Sequence, residues 1–501
     1  MLEAIGHGLL SILTPTMLFW IFFGVIIGLM VGILPGLGGT ATLAILLPIV
    51  YGLDPTIALV FLIALHAVVY QGGLITSVLF GIPGEETSVA TLLDGYPMAQ
   101  KGQAGRALAN GQMASMLGGI FGGVFLAVLI PFARPIILAF GAPELFIISL
   151  IGLSFVAVLS RGSTLKALAV GALGFFASNI GYQYASGTSR FTGGFYYFWE
   201  GINVVPVFMG LFALPEVVDL AVRGGTIAKG DRSEIKWTDV SQGIKDVFKN
   251  WWLVLRCSAI GAGVGVVPGV GGVVAQFLCY GYAKKTSKRS EEYGTGCEEG
   301  VIAPESGNNS KVGGALLTTL AFGIPGSAAM VVILSAMMIL GIEPGPDMLT
   351  AHLDLLWMIV LTVIIANCVA SLVGLVTAKP LAQLTFVKGN ILVPVIMLMV
   401  VLGAYGVRSD MRDVITAFVF GFLGYLMKMY DYSRVTFTIG YVLGDYAERY
   451  FLISFASLGP YFLLRSPIAL ILLIITILFF LSSPLRKLTR KWFIFRLKKT
   501  E

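Results

Sequence analysis

Charge is scarce in this sequence. Of 501 residues, 33 are basic and 27 acidic, so charged side chains make up 12 %, about half the ~25 % of a soluble domain. Disorder, which needs high charge and few apolar residues, is excluded with it. Histidine occurs three times and cysteine four times. Cys257, Cys279, Cys297 and Cys368 form no CxxC and no Cys/His pairing, which leaves neither a zinc site nor a redox pair. The sequence contains no P-loop, HExxH, GxSxG elbow or two-histidine metal spacing. It therefore reads as a non-enzyme, with no organic cofactor and no transition metal. The first seventeen residues hold no Lys or Arg, so the basic region of a cleaved signal is missing. The longest polar stretches, residues 223–250 and 284–311, are too short for a fused ATPase or binding-protein domain.

What remains is apolar: 57 % of the chain, with a mean hydropathy of +0.89. The net charge of +6 lies in short clusters between apolar runs, which is a topology signal and not a nucleic-acid surface. An all-α polytopic membrane protein follows. At ~20 residues per span, candidates lie at 107–132, 135–159, 165–180, 204–222, 356–377, 391–407, 414–427, 451–464 and 468–481. Broken segments bring the expected total to about twelve.

Glycine is abundant, 62 residues, and much of it belongs to an internal repeat. GLMVGILPGLGGT at 28–40 returns as GAGVGVVPGVGGV at 261–273, an offset of 233, and GIPG at 81–84 returns at 323–326, an offset of 242. Around the second Pro-Gly element, residues 253–267 and 273–283 make helices of ~22 and ~16 Å, too short for a ~30 Å hydrocarbon core. Both outer ends are basic, with Lys245, Lys249 and Arg256 on one side and Lys284, Lys285, Lys288 and Arg289 on the other. The positive-inside rule makes this a re-entrant hairpin entered from the cytoplasm. Its counterpart, with its tip at 35–39, has no Lys or Arg at its outer ends and is expected to enter from the other side. The two repeats are thus read as inverted, with re-entrant hairpins and broken helices. Residues 1–222 carry the first repeat, 223–250 a cytoplasmic polar linker, 251–481 the second repeat and 482–501 a basic cytoplasmic tail.

Broken helices expose N–H and C=O groups that bind ions at membrane depth. The candidate substrate contacts are therefore Gly36, Gly38, Gly39, Thr40, Gly84, Thr87 and Ser88 in the first repeat, with Gly269, Gly271, Gly272, Asn308, Asn309, Gly326 and Ser327 in the second. A packing kink is the alternative at any single tip, and Asn308 and Asn309 can equally cap a helix starting near Lys311. None of these residues is basic, so an anion would be held by dipoles, amides and hydroxyls. Glu85 and Glu86 are either ordinary first-turn carboxylates or, with Gln71, Thr76, Glu305 and Ser310, candidates for Na⁺ or H⁺ coupling. Na⁺ at the Pro-Gly tips is the one metal this chemistry suggests. His66 reads as a packed core histidine, and Lys101 and Arg106 as parts of an elbow orienting two helices.

Three runs carry a resemblance: YQGGLITSVLFGIPGE at 70–85, LDGYPMAQKGQAGRALA at 93–109 and APESGNNSKVGGALLTTLAFGIPGSA at 303–328. With both PGxGG tips, GIEPGP at 341–346 and LVP at 392–394, the chain resembles, over nearly its whole length, the large membrane subunit of tripartite tricarboxylate transporters, the TctA family. The resemblance implies secondary uptake of carboxylates, citrate-like or dicarboxylate, across a bacterial inner membrane. The implied partners are a small TctB-like membrane subunit and a TctC-like periplasmic solute-binding protein, with a homodimer of the complex left open. A non-transporting docking subunit and a passive anion channel remain the alternatives.

Overall fold

Inside a hydrocarbon layer every backbone N–H and C=O must be paired within the protein, and helices do this segment by segment. The computed structural model describes residues 2–34, 38–50, 52–159, 164–183, 187–223, 237–268, 271–383, 389–474 and 476–477. The first half runs α1 (Leu2–Ile12), α2 (Pro15–Gly32), α3 (Gly39–Val50), α4 (Pro55–Phe80), α5 (Val89–Gln100), α6 (Ala104–Leu138), α7 (Ala142–Leu159) and α8 (Thr164–Ser178). Two short antiparallel strands, β1 (Gly181–Gln183) and β2 (Thr188–Arg190), pair with Tyr182 opposite Ser189. Then come α9 (Val204–Phe208), a π-helical turn at Met209–Ala213, and α10 (Leu214–Arg223). The second half runs α11 (Trp237–Lys249), α12 (Trp251–Val266), α13 (Gly271–Thr286), α14 (Glu299–Phe322), α15 (Ala328–Ile339), α16 (Leu353–Val376), α17 (Ala378–Gln383), α18 (Gly389–Arg408), α19 (Met411–Met429), α20 (Arg434–Leu458) and α21 (Phe462–Arg465).

Among the described residues, six helices are long and apolar enough to cross a membrane: Pro15–Gly32, Pro55–Phe80, Ala104–Leu138, Val204–Val222, Leu353–Val376 and Ile391–Arg408. The chain is a multi-pass helical membrane protein. Shorter apolar helices, among them α3, α12 and α15, lie between the long ones. Burial sorts the long helices by place: α4 is covered almost throughout, whereas α18 turns Ile391, Val395, Leu398 and Leu402 outward, as a lipid-facing helix does.

The centre is built on α4 and α14. Asp54 caps α4 by accepting from the Thr56 and Ile57 N–H groups, and Gly81 ends it at φ +65°. Gly323, 242 positions later, ends α14 at φ +67°. The repeat extends to the contacts. A Cβ on Gly28 would lie 2.6 Å from the Leu65 carbonyl oxygen, and one on Gly32 would overlap that of Val69. At the same two offsets, Gly261 abuts the Gly307 carbonyl and Gly265 that of Lys311. Thr76 and Ser77 both donate to the Gly73 carbonyl, as Thr318 and Thr319 do to that of Ala315. Such backbone contact is how helices associate where lipid removes the hydrophobic drive. The glycine row of α6 serves the same end, with Gly118 against Ser306 and Gly122 against Ser310 of α14.

Three sequence expectations need correction. The span placed at 135–159 is split, because α6 continues through Pro131 and Pro135 to Leu138 and α7 starts afresh at Ala142; membrane helices tolerate prolines whose freed groups are satisfied locally. The span at 451–464 belongs to a longer helix that starts at Arg434 and stops at Gly459, φ +75°. Its polar middle stays helical because Arg190 and Gln183 of the strands neutralise and bind Glu448. Finally, no helix starts near Lys311: α14 opens at Glu299, inside the polar stretch 284–311 and two residues on from the counterpart of the start of α4. The tail at 482–501, the tip residues 35–37 and 269–270, and part of the linker lie outside the described residues.

Candidate functional site

The first tip meets a carboxylate from its own chain. Gly39 opens α3 and its N–H donates to Glu85 Oε2 at 3.1 Å. A Cβ on Gly38 would lie 3.2 Å from the same oxygen, so glycine there lets the carboxylate approach. A negative group at a helix N-terminus is electrostatically favoured. Glu85 thus sits at the start of α3 and precedes the 3₁₀ turn Glu86–Ser88, which leaves Glu86 exposed. Thr40 is half-buried in the first turn of α3.

At the second tip, Gly271 takes φ +74°, where any side chain is strained. A Cβ on the next residue, Gly272, would overlap Lys311 Nζ and lie 2.6 Å from Thr87 Cγ2. Across the repeats, Asn308 Nδ2 donates to Thr87 Oγ1 at 3.2 Å. Gly38, Gly39, Glu85, Thr87, Ser88, Gly272 and Asn308 are therefore gathered into one polar centre between the tips, and Asn308 Oδ1 and Ser88 Oγ are buried there without a hydrogen-bond partner. Gly36 and Gly269 lie outside the described residues.

Two buried networks flank the centre. Glu305, fully buried, accepts from Thr91 Oγ1 at 2.5 Å, Ser115 Oγ at 2.9 Å and Gln276 Nε2 at 3.5 Å. All three donors are neutral. In the other network, Asn367 Oδ1 accepts from Gln71 Nε2 at 2.9 Å and Asn309 Nδ2 at 2.6 Å, while Ser371 donates to Gln71 Oε1 and to the Gln112 carbonyl. Asn308 and Asn309 stand in the middle of α14, so neither caps a helix near Lys311; no helix begins there. Thr76 and Ser310 bond carbonyls of their own helices, Ser327 caps α15 through Met330 N–H, and Gly326 N–H donates to Thr319 Oγ1. Gly84 packs on Gly32 as Gly326 packs on Gly265. His66 is buried against the Tyr70 hydroxyl at 3.2 Å.

The residue that sequence reasoning missed is Lys311. It is 5 % exposed, its Nζ lies 4.3 Å from the centre of the Tyr70 ring, and among the described residues it has no ion-pair partner. The signal was present: a Lys inside a buried membrane helix is a functional candidate by default. A helix start near Lys311 hides this signal, and the second tip has beside it a basic residue that the expected contacts lack.

Outside the spans, the LDGYP run pins a loop. Asp94 Oδ1 accepts the N–H groups of Gly294, Gly296 and Cys297, each at 2.8 Å, and Oδ2 accepts from Tyr280 OH. Arg106 pairs with Asp246 of α11 at 2.5 Å, tying that amphipathic helix to α6. Arg289 grips Glu298 at 2.5 and 3.0 Å. Burial pushes the Glu298 carboxyl up, but the Arg289 bonds, a backbone N–H and the charges of Arg289 and Arg106 together hold the group below its ordinary value. Beside it opens a cavity of about 380 Å³ lined by Lys249, Arg256, Lys288, Arg289 and Glu298, away from the tips. All four cysteines are free, and among the described residues no three His, Cys, Asp or Glu side chains group as a metal site.

A multi-pass helical protein in which two repeated helix pairs, α2–α3 and α12–α13, flank a buried polar centre has the architecture of a membrane transport protein. The sequence matches the tripartite tricarboxylate transporter TctA family over residues 18–439, and the chain belongs to that family. It is thus the membrane component of a tripartite tricarboxylate transporter, as the motif resemblance implied. An uncharacterised 52.8 kDa protein "in TAR-I ttuC' 3'region" of Agrobacterium vitis is 34 % identical over 461 residues, covering 90 % of this chain and 89 % of its own length. A second uncharacterised protein of that organism, "in TAR-II ttuC' 3'region", is 32 % identical over 190 residues, 38 % of this chain and 78 % of its own. No solved structure matches the chain.

Proposed function

We propose that the chain is the permease subunit of a binding-protein-dependent secondary transporter, which takes up an organic carboxylate of the citrate-like or dicarboxylate type by cation-coupled alternating access. The observation that carries this reading is the contact between repeats at the tips, where Asn308 of α14 donates to Thr87 beside the Glu85–Gly39 bond. A substrate between the tips touches both halves of the molecule, so rocking one repeat against the other exposes it to each side in turn. In this reading the repeats are inverted, the first hairpin opens to the periplasm and the second to the cytoplasm, and the C-terminus lies inside a bacterial inner membrane. A TctC-like binding protein delivers the substrate and a TctB-like subunit completes the complex. Na⁺ or H⁺ couples uptake. Glu305, buried among neutral donors, and the oxygens around Gln71 and Asn309 are the sites suited to either ion.

Uptake in right-side-out vesicles carrying the full complex tests this. Succinate, tartrate and citrate are offered under imposed Na⁺ or proton gradients. Accumulation above the outside concentration, abolished when both gradients are collapsed, is expected. Equilibration without accumulation identifies a passive channel. Binding-protein docking with no flux in any condition identifies an assembly subunit.

A further inference from the structure

We propose that Lys311 is the anchoring cation for a carboxylate of the transported anion, binding it against the N-terminus of α13. The inference rests on the transport reading for its substrate class, but it stands on geometry of its own. Two sources of positive potential converge at this tip. One is the start of the sixteen-residue α13, whose first N–H groups have no acceptor within the helix. The other is the Lys311 ammonium, which occupies the space a Gly272 side chain would take. They repel each other, and among the described residues no carboxylate pairs with Lys311. Tyr70 supplies a cation–π contact at 4.3 Å, which offsets part of the cost of burying the ammonium. An unpaired Lys inside the membrane is costly even so. An anion set between ammonium and helix start satisfies both.

The repeat makes the asymmetry plain. Gly272 and Lys311 correspond, at the offsets of 233 and 242, to Gly39 and Val69, which are themselves in contact, a Gly39 Cβ falling 2.9 Å from Val69 Cγ1. At the first tip the cation is replaced by valine, and Gly39 N–H is served by Glu85. At the second tip the counterpart of Glu85 is Ser327, which caps α15 instead. One tip carries a carboxylate bonded to its backbone; the other carries a cation with no carboxylate in ion-pair contact among the described residues, Glu85 and Glu86 acting on it only at longer range. The second is the one fitted to a carboxylate from outside, and Gly271 and Gly272 keep its approach free of side chains.

The experiment uses Lys311→Met, Lys311→Arg and the double variant Lys311→Met/Glu85→Gln. Thermal stabilisation of the purified protein by millimolar succinate, tartrate or citrate is measured first, then uptake by the full complex of whichever acid is transported, alongside its monoamide. Lys311→Met should fold, since neutral replacement of a buried ion is commonly tolerated. It is expected to lose stabilisation by the acid and to raise its KM about 100-fold, while the KM of the monoamide changes far less. Lys311→Arg should retain part of both. Equal stabilisation of wild type and Lys311→Met overturns the proposal, as does a lack of stabilisation of wild type by all three acids. Recovery of uptake in the double variant also overturns it, because Lys311 would then be only an internal counter-ion to Glu85. If the acids stabilise wild type and not Lys311→Met, yet no uptake occurs, the anchoring site stands and the transport reading falls.

Discussion

A glycine whose missing side chain is replaced by a neighbour's carbonyl cannot be exchanged without moving a helix. Gly28 against Leu65 and Gly261 against Gly307 are the same contact made twice, while Gly263, two residues beyond the second, has nothing within 4 Å of where its Cβ would lie. Valine at Gly28 or Gly261 should destabilise by about 1–3 kcal/mol or more through overpacking. Alanine at Gly263, exposed on α12, should be neutral or stabilising by up to ~1 kcal/mol from helix propensity. Thermal unfolding in detergent orders the three, and a Gly28→Val protein as stable as wild type refutes the packing assignment. At this scale the sequence was only partly legible. The repeated element at 28–40 and 261–273 held the contact glycines Gly28, Gly32, Gly261 and Gly265, and Glu85 and Thr87 were marked by their place after GIPG. Lys311 carries a signal as a basic residue in a buried membrane helix, but its neighbours Gly272 and Tyr70 reach it only in three dimensions.

Elements were legible where composition and environment agree. The lipid-facing and apolar helices α16 and α18 lie within three residues of where their apolar runs place them. The helix α14 was hidden because its polar residues, Glu305 to Lys311, face protein on all sides and so escape a hydropathy pattern. The loop before it is held by Asp94 and by the Arg289–Glu298 pair, with Arg106 a further 3.9 Å contact on Glu298. The Glu298 carboxyl is held below the ordinary 4.5, the value it regains on unfolding. Its contribution is therefore complete above that ordinary value and is lost as pH falls through the lower folded value. Hydrogen exchange across residues 287–298, corrected for intrinsic rate, should be slow near neutral pH and rise as pH falls below the ordinary carboxyl range. Glu298→Gln should exchange faster already near neutral pH and respond less to acid. A variant indistinguishable from wild type at both ends would show that Asp94 alone restrains the loop.

For the whole molecule, the duplication is visible in sequence and in contacts, but its orientation in the bilayer rests on where the basic residues fall. Contacts between Gly32 and Val69, and between Gly265 and Lys311, are the same whether the repeats run parallel or inverted. Sidedness distinguishes them. Gly52, exposed with open space around it, closes the outer end of the α3 hairpin, and Lys288, also exposed, closes that of the α12–α13 hairpin. Inverted repeats put these two positions on opposite faces, and parallel repeats put both on one. With the four free cysteines replaced, Gly52→Cys should react with a membrane-impermeant maleimide in intact right-side-out vesicles. Lys288→Cys should react only after permeabilisation, which is also what the adjoining Lys284, Lys285 and Arg289 require of a cytoplasmic end. Labelling of both positions from the same side would remove the inverted arrangement, and with it the rocking of one repeat against the other as the route for the substrate. A proton- or Na⁺-driven flux would then need a single-sided gate, for which the Glu305 network and not the paired tips would be the place to look.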